Sequence, residues 1–324
     1  HIQADKVLSR FAFWIEQGIA LTCEELGGLD AMLRPSHHTG EPELEPVLLL
    51  SWLRRVSLKK SQSVLGLPAP EALILPESVE TVLRFGEAWQ LVGVLCRPTL
   101  NRFPGFAVLI CNAGGNPRHG FARFGVEFAR ALATKGIASL RFDFAGLGDS
   151  VHYEGAADVQ TDVFAVDRNG DVHEAVDALE ALGFRDFALH GLCSGAYHAV
   201  RGICADARIG LLLAINLPWF SLLHERPGPT SVAQNSIGTL AYRNSAALFV
   251  FGEGDPGLKS FEKHFGVGGS ELPSSQAIQF CAMPGFDHEL TALWMRRAAA
   301  EKMIHFLQDN WSVTVKGESR YGHA

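Results

Sequence analysis

The sequence lacks several features that would assign it to simple classes. No apolar run reaches the roughly 18–20 residues that a membrane span requires. The best run, Val47 to Leu53, is far shorter. The first residues, H-I-Q-A-D-K, lack a charged stretch followed by an apolar one, so no secretory leader is expected. Basic residues are outnumbered: 28 Lys and Arg stand against 35 Asp and Glu, a net charge of −7. With no basic stripe to replace the counterions of a polyanion, nucleic acid is not an expected partner.

Metal and dinucleotide signatures are missing as well. The six cysteines form no C-x-x-C pair, and most lie in apolar runs, which suits reduced thiols and a cytoplasmic location. Gly146 and Gly148 begin a G-x-G pattern, but Val151 ends it. His288-Glu289 opens the zinc-protease pattern H-E-x-x-H, but residue 292 is Ala. His37-His38 has no companion ligand at a sensible spacing. No metal and no cofactor are expected.

What is present is a chain of 324 residues, 47% apolar and 19% charged, enough to bury a sizeable core. Residues 1–62 carry apolar positions at helical spacing (Val7, Phe11, Trp14), and a second helix is expected from Pro46. Pro68, Pro70 and Pro76 punctuate a linker. From about residue 78, short apolar strands alternate with helical segments. Strands are expected at 79–85, 89–96, 107–111, 138–142, 187–190, 209–215, 247–251 and 277–281. Helices are expected at 121–134, 172–182, from Ser194, near Phe261 and at 290–307. This alternation predicts an α/β fold: a mostly parallel twisted sheet with helices on both faces. The expected division is 1–77 for a helical extension and linker, 78–310 for a catalytic domain and 311–324 for a tail. The extension cannot form a core alone and is expected to act as a lid. Ligands of such sheets bind beyond the carboxyl ends of the strands, so the informative loops follow the strands.

One such loop is G-L-C-S-G-A, Gly191 to Ala196. It has the form of a nucleophile elbow, in which the residues two before and two after the nucleophile must be small. Gly191 and Gly195 meet this when Cys193 is central; with Ser194 central, Leu192 would fill a small position. A cysteine at a helix N-terminus beside a histidine is an activated nucleophile. Six histidines follow: His198, His224, His264, His288, His305 and His323. Only His288 directly follows an apolar strand, in a loop before the last helix, where a base belongs. For the acid, Asp255 follows the preceding strand in G-E-G-D; Asp287 is the alternative, although neighbouring side chains usually diverge. The oxyanion hole needs backbone N–H donors: Ser194, from which only the amide is required, and Gly114 or Ala113 from the loop N-A-G-G, Asn112 to Gly115. Arg118, with His119 and Arg123, could receive an anionic substrate, and Trp219 and Phe220 could line an acyl pocket.

Together, G-L-C-S-G, N-A-G-G, F-D-F-A-G-L-G-D-S (Phe142 to Ser150), G-E-G-D and F-D-H-E-L-T resemble the α/β-hydrolase superfamily over residues 78–309. The cysteine resembles that of dienelactone hydrolases and some assembly-line thioesterase domains. The N-A-G-G loop is similar to that of serine-aminopeptidase-like members. The resemblance implies acyl chemistry through a covalent Cys193 thioester, with His288 as base and Asp255 orienting it. The implied partner is a small-molecule acyl substrate, free or carried by a carrier protein or CoA. The acceptor may be water, an alcohol or an amine; a silent ligand binder on the same fold is the rival.

Overall fold

The computed structural model describes residues 72–151, 164, 166–218, 232–273 and 277–315. The chain divides in two after Pro68. The expected N-terminal helices and the lid assigned to them lie outside the described residues, as does the tail beyond residue 315.

Nine strands form one sheet in the order β1-β2-β3-β5-β4-β6-β7-β8-β9. They are β1 (Ala72–Ile74), β2 (Ser78–Phe85), β3 (Leu91–Pro98), β4 (Phe106–Ile110), β5 (Ala138–Asp143), β6 (Asp186–Leu192), β7 (Ile209–Ile215), β8 (Ala246–Gly252) and β9 (Ile278–Met283). The pairs β1·β2, β2·β3 and β3·β5 are antiparallel; the remaining five are parallel. Helices α1 (Phe124–Thr134), α2 (Asn169–Ala181), α3 (Ser194–Ala205), α4 (Val232–Tyr242), α5 (Pro256–Phe265) and α6 (Leu293–Val315) cover both faces.

Strands β4, β7 and β8 carry no polar side chain, because each face of the sheet has its own core. In β4, Phe106, Val108 and Ile110 join a core formed with α1 and α6, while Ala107 and Leu109 join one formed with α2, α3, α4 and α5. In β7, Leu211 and Leu213 face the first core and Leu212 and Ala214 the second. Strand alternation thus divides one hydrophobic run between two layers.

The structure departs from the sequence reading at several boundaries. β1 lies in the stretch read as linker. Its register, Leu73 opposite Glu80 and Ile74 opposite Val79, is held by backbone pairing, which needs no buried side chain. β3 begins at Leu91 because Trp89, at φ 57°, belongs to the turn. The helix expected from Phe121 starts at Phe124, since Ala122 and Arg123 have φ of 46° and 65°. Helix α4 lies between the strands expected at 209–215 and 247–251, where no helix is expected, and α6 runs to Val315, past the expected boundary at 310. There Trp311 packs edge-on against Phe103 and Phe106, at ring separations of 5.3 and 4.8 Å. No described helix is long and apolar enough to cross a membrane.

Candidate active site

The parallel strands β6, β7 and β8 run side by side and end on one rim of the sheet. Cys193 stands at the end of β6, in the single residue between that strand and α3, with φ 54° and ψ −124°. Such a backbone costs a non-glycine residue about 1–3 kcal/mol and persists only where its surroundings impose it. Here they do: the Cys193 N–H donates to the Ile215 carbonyl at 3.0 Å, and its own carbonyl accepts from Ala196 N at 2.9 Å and Tyr197 N at 3.2 Å. A Cβ on Gly191 would lie 2.1 Å from the Gly195 carbonyl carbon, and one on Gly195 would lie 2.3 Å from the Asn112 carbonyl oxygen. Both glycines are therefore sterically required. The apex of the turn is Cys193, while Ser194 is the first residue of α3 and Leu192 is buried in the core beneath.

His288 lies in the loop between β9 and α6. Its Nδ1 is 2.5 Å from Asp255 Oδ2, which leaves Nε2 for the Cys193 thiol. Asp255 is 3% exposed and uses both oxygens. Oδ2 faces His288, and Oδ1 accepts from Gly257 N at 2.7 Å, capping α5 just before Pro256. The bland role of a turn aspartate and the role of imidazole partner are thus filled by one side chain. Asp287 turns away, its Oδ1 accepting from Thr291 N at 2.9 Å. Glu253 is exposed. The hydrogen bonds to Asp255 and, next, to Cys193 raise the His288 pKa to about 10 against the opposing effect of burial. Asp255 and Cys193, one on either side of the ring, favour its protonated form. By contrast His190, buried in β6 between Phe124 and Phe128, is held neutral, its pKa pushed down to about 4 by burial.

The chain has the α/β-hydrolase fold. It resembles an α/β serine hydrolase without a lid from Xanthomonas campestris (TM-score 0.52, 17% identity, 73% of this chain and 96% of that one). It also resembles a dienelactone hydrolase from Anabaena variabilis (TM-score 0.52, 13% identity, 74% and 98%). A third similar structure is an esterase domain from Rhodothermus marinus (TM-score 0.51, 15% identity, 71% and 97%). No family model matches the sequence, and no curated protein matches it.

Within this α/β-hydrolase frame, three polar residues outside the expected set hold the site together. Asn216, at the end of β7 and fully buried, donates from Nδ2 to the carbonyls of Asp287 (3.0 Å) and His288 (2.9 Å). Its Oδ1 accepts from Gly252 N at 2.9 Å. One amide thus ties the His288 loop to the strand that leads to Asp255. Asn112 does the same for the N-A-G-G loop: Nδ2 donates to Asn116 O (2.8 Å) and Asp143 Oδ1 (3.1 Å), and Oδ1 accepts from Phe144 N (2.7 Å). The fully buried Asp143 carboxylate also accepts from Arg118, both from its backbone N–H and from its guanidinium. Asn216 follows β7 directly and Asn112 stands one residue past β4, positions that could have flagged them in the sequence; the partners of Asp143 could not be read there.

Arg118 is accordingly committed elsewhere than expected. One guanidinium nitrogen meets Asp143 and the other meets Asp149 at 2.6 Å. With both nitrogens on carboxylates, the side chain clamps the loop rather than offering a free cation. Of the two loop donors, Gly114 gives its N–H to Ser194 Oγ at 2.7 Å, and the Ala113 carbonyl closes a turn by accepting from Asn116 N at 3.1 Å. Trp219 and Phe220 lie outside the described residues. A cavity of about 570 Å³ between β2 and α2 is lined by Leu83, Trp89 and Ala178 and includes none of these groups.

Proposed function

We propose that the protein is an acyl-processing enzyme that works through a thioester on Cys193, in a setting of small-molecule acyl substrates and reducing, cytoplasmic conditions. The observation that carries this reading is the alignment of Cys193 at the strained apex, His288 beside it and the buried Asp255 behind the ring. His288 holds at Nε2 the proton that the Cys193 thiol gives up, and the sulfur attacks the acyl carbonyl. A C–S bond forms as the carbonyl π pair moves onto oxygen, where the Ser194 N–H, at the first position of α3 and without an intrahelical acceptor, can meet it. Collapse of the adduct expels the leaving group, which takes the proton from His288. The acceptor then attacks the thioester, loses its proton to His288, and releases the sulfur as thiolate. Asp255 fixes the ring so that Nε2 faces the sulfur and stabilises the imidazolium.

The acceptor is water in the primary reading. Transfer to an alcohol or amine is the second, favoured by cysteine because thioesters pass acyl groups readily to amines, and it admits carrier-protein- or CoA-bound substrates. The complete set of three groups speaks against a silent binder. An activated ester should give a burst of leaving group and an acyl adduct on Cys193 by peptide mass spectrometry. Cys193→Ala should lose both, with a rate about 10⁶-fold lower if the groups act as a unit as in serine proteases. A burst that survives in Cys193→Ala would sink the reading. Added amine then separates the acceptors by the product it captures.

A further inference from the structure

The side chain of Ser194 has a partner that its expected role does not need. An oxyanion donor at this position requires only the backbone N–H, yet the hydroxyl is 2% exposed and accepts the Gly114 N–H at 2.7 Å. A hydroxyl that accepts one hydrogen bond still has a proton to donate. Among the described residues that proton makes no hydrogen bond. A buried donor without an acceptor is costly, which marks a place where something else accepts. The space beside the loop is open: a Cβ on Gly114 or Gly115 would meet nothing within 4 Å.

We infer that the Ser194 hydroxyl is itself an oxyanion donor, polarised by the Gly114 amide and aimed, with the Ser194 N–H, at the oxygen that becomes charged when Cys193 attacks. This inference rests on the reading of Cys193 as nucleophile. The donor belongs to the residue that follows Cys193, and its oxygen contacts the N-A-G-G loop that borders the end of β6. As the C–S bond forms and the π pair moves to oxygen, that oxygen accepts the Ser194 O–H. No proton is transferred, and the bond relaxes when the carbonyl re-forms. Accepting from Gly114 makes the hydroxyl a better donor, since chained hydrogen bonds strengthen one another. Gly114 thus acts through Ser194, and the N-A-G-G loop serves the hole at one remove.

A hydroxyl that only fastened the loop to α3 would give the same static contact, so the test must read charge on the oxygen. Single-turnover acylation of Cys193 is measured with a p-nitrophenyl ester and its thionoester, whose sulfur accepts hydrogen bonds weakly. Ser194→Ala should slow the oxoester by about 100-fold, the loss typical of one oxyanion donor. It should slow the thionoester far less, and Ser194→Thr should restore most of the oxoester rate. Should Ser194→Ala not fold, Ser194→Cys carries the same comparison. Equal losses on the two esters, or a wild-type rate without the hydroxyl, would overturn the inference. A wild-type protein that forms no adduct on Cys193 would overturn the functional reading and this inference with it.

Discussion

Cys193 owes its position to its immediate neighbours in the chain, whereas Asp255 and His288 owe theirs to a residue on another strand. On the Cys193 side, the geometry follows from two missing side chains, at Gly191 and Gly195, and from the strand and helix that run into the turn. On the side of Asp255 and His288, 33 residues separate the two groups, and Asn216 bridges the loops that carry them with three hydrogen bonds. The first arrangement is steric and local, so it resists distant change but tolerates no added atom. The second is a polar network, so it should fail in graded steps as single partners are removed.

The largest effect that separates the two sides is expected at Asp255. Asp255→Asn keeps an oxygen to cap Gly257 but loses the charge beside His288. Turnover should fall by about 10⁴, as for the corresponding amide in a serine protease triad, with the fold intact by circular dichroism. Asp287→Asn, measured beside it, should stay near wild type; the reverse result would move the acid to Asp287. Removing the bridge should cost less: Asn216→Ala leaves every reacting group in place but frees the His288 loop. A displacement on the order of 1 Å costs about 100-fold in rate. Iodoacetamide should still label Cys193 at the wild-type rate, because the elbow does not depend on Asn216. Loss of the elbow geometry in this variant would erase the distinction drawn between the two sides.

Stability should respond in the opposite sense. Gly191→Ala inserts a Cβ 2.1 Å from a backbone carbon, so the turn must shift. We expect a loss of about 2–3 kcal/mol by urea unfolding, the upper range for overpacking. The smallest effect is a pH dependence. The His288 pKa is raised in the folded protein to about 10 from 6.5. The stability it contributes is fully present below about pH 6.5 and is lost as pH rises through about 10. His288→Gln should flatten the decline over that interval, and a slope unchanged by the substitution would show that other groups set it.

The sequence alone determined what depends on neighbours in the chain. Continuous apolar runs specify strands buried on both faces, which is why most of the sheet is legible from residue 78 onward. Gly191 specifies the elbow because a side chain there collides with the turn's own Gly195, whereas Gly195 is required because the fold brings the Asn112 carbonyl against it. Order along the chain singled out Asp255 and His288, since each follows a strand that ends on the same rim. Tertiary structure decided what depends on pairing across strands. β1 escaped notice because an edge strand needs only backbone partners. Arg118 reads as a free cation until the fold brings Asp143 and Asp149 to it. Asn112, Asn216 and the hydroxyl of Ser194 read as ordinary polar residues, because a hydrogen bond carries no signature in either partner's sequence. Their roles arise only where parallel strands set loops from distant parts of the chain side by side.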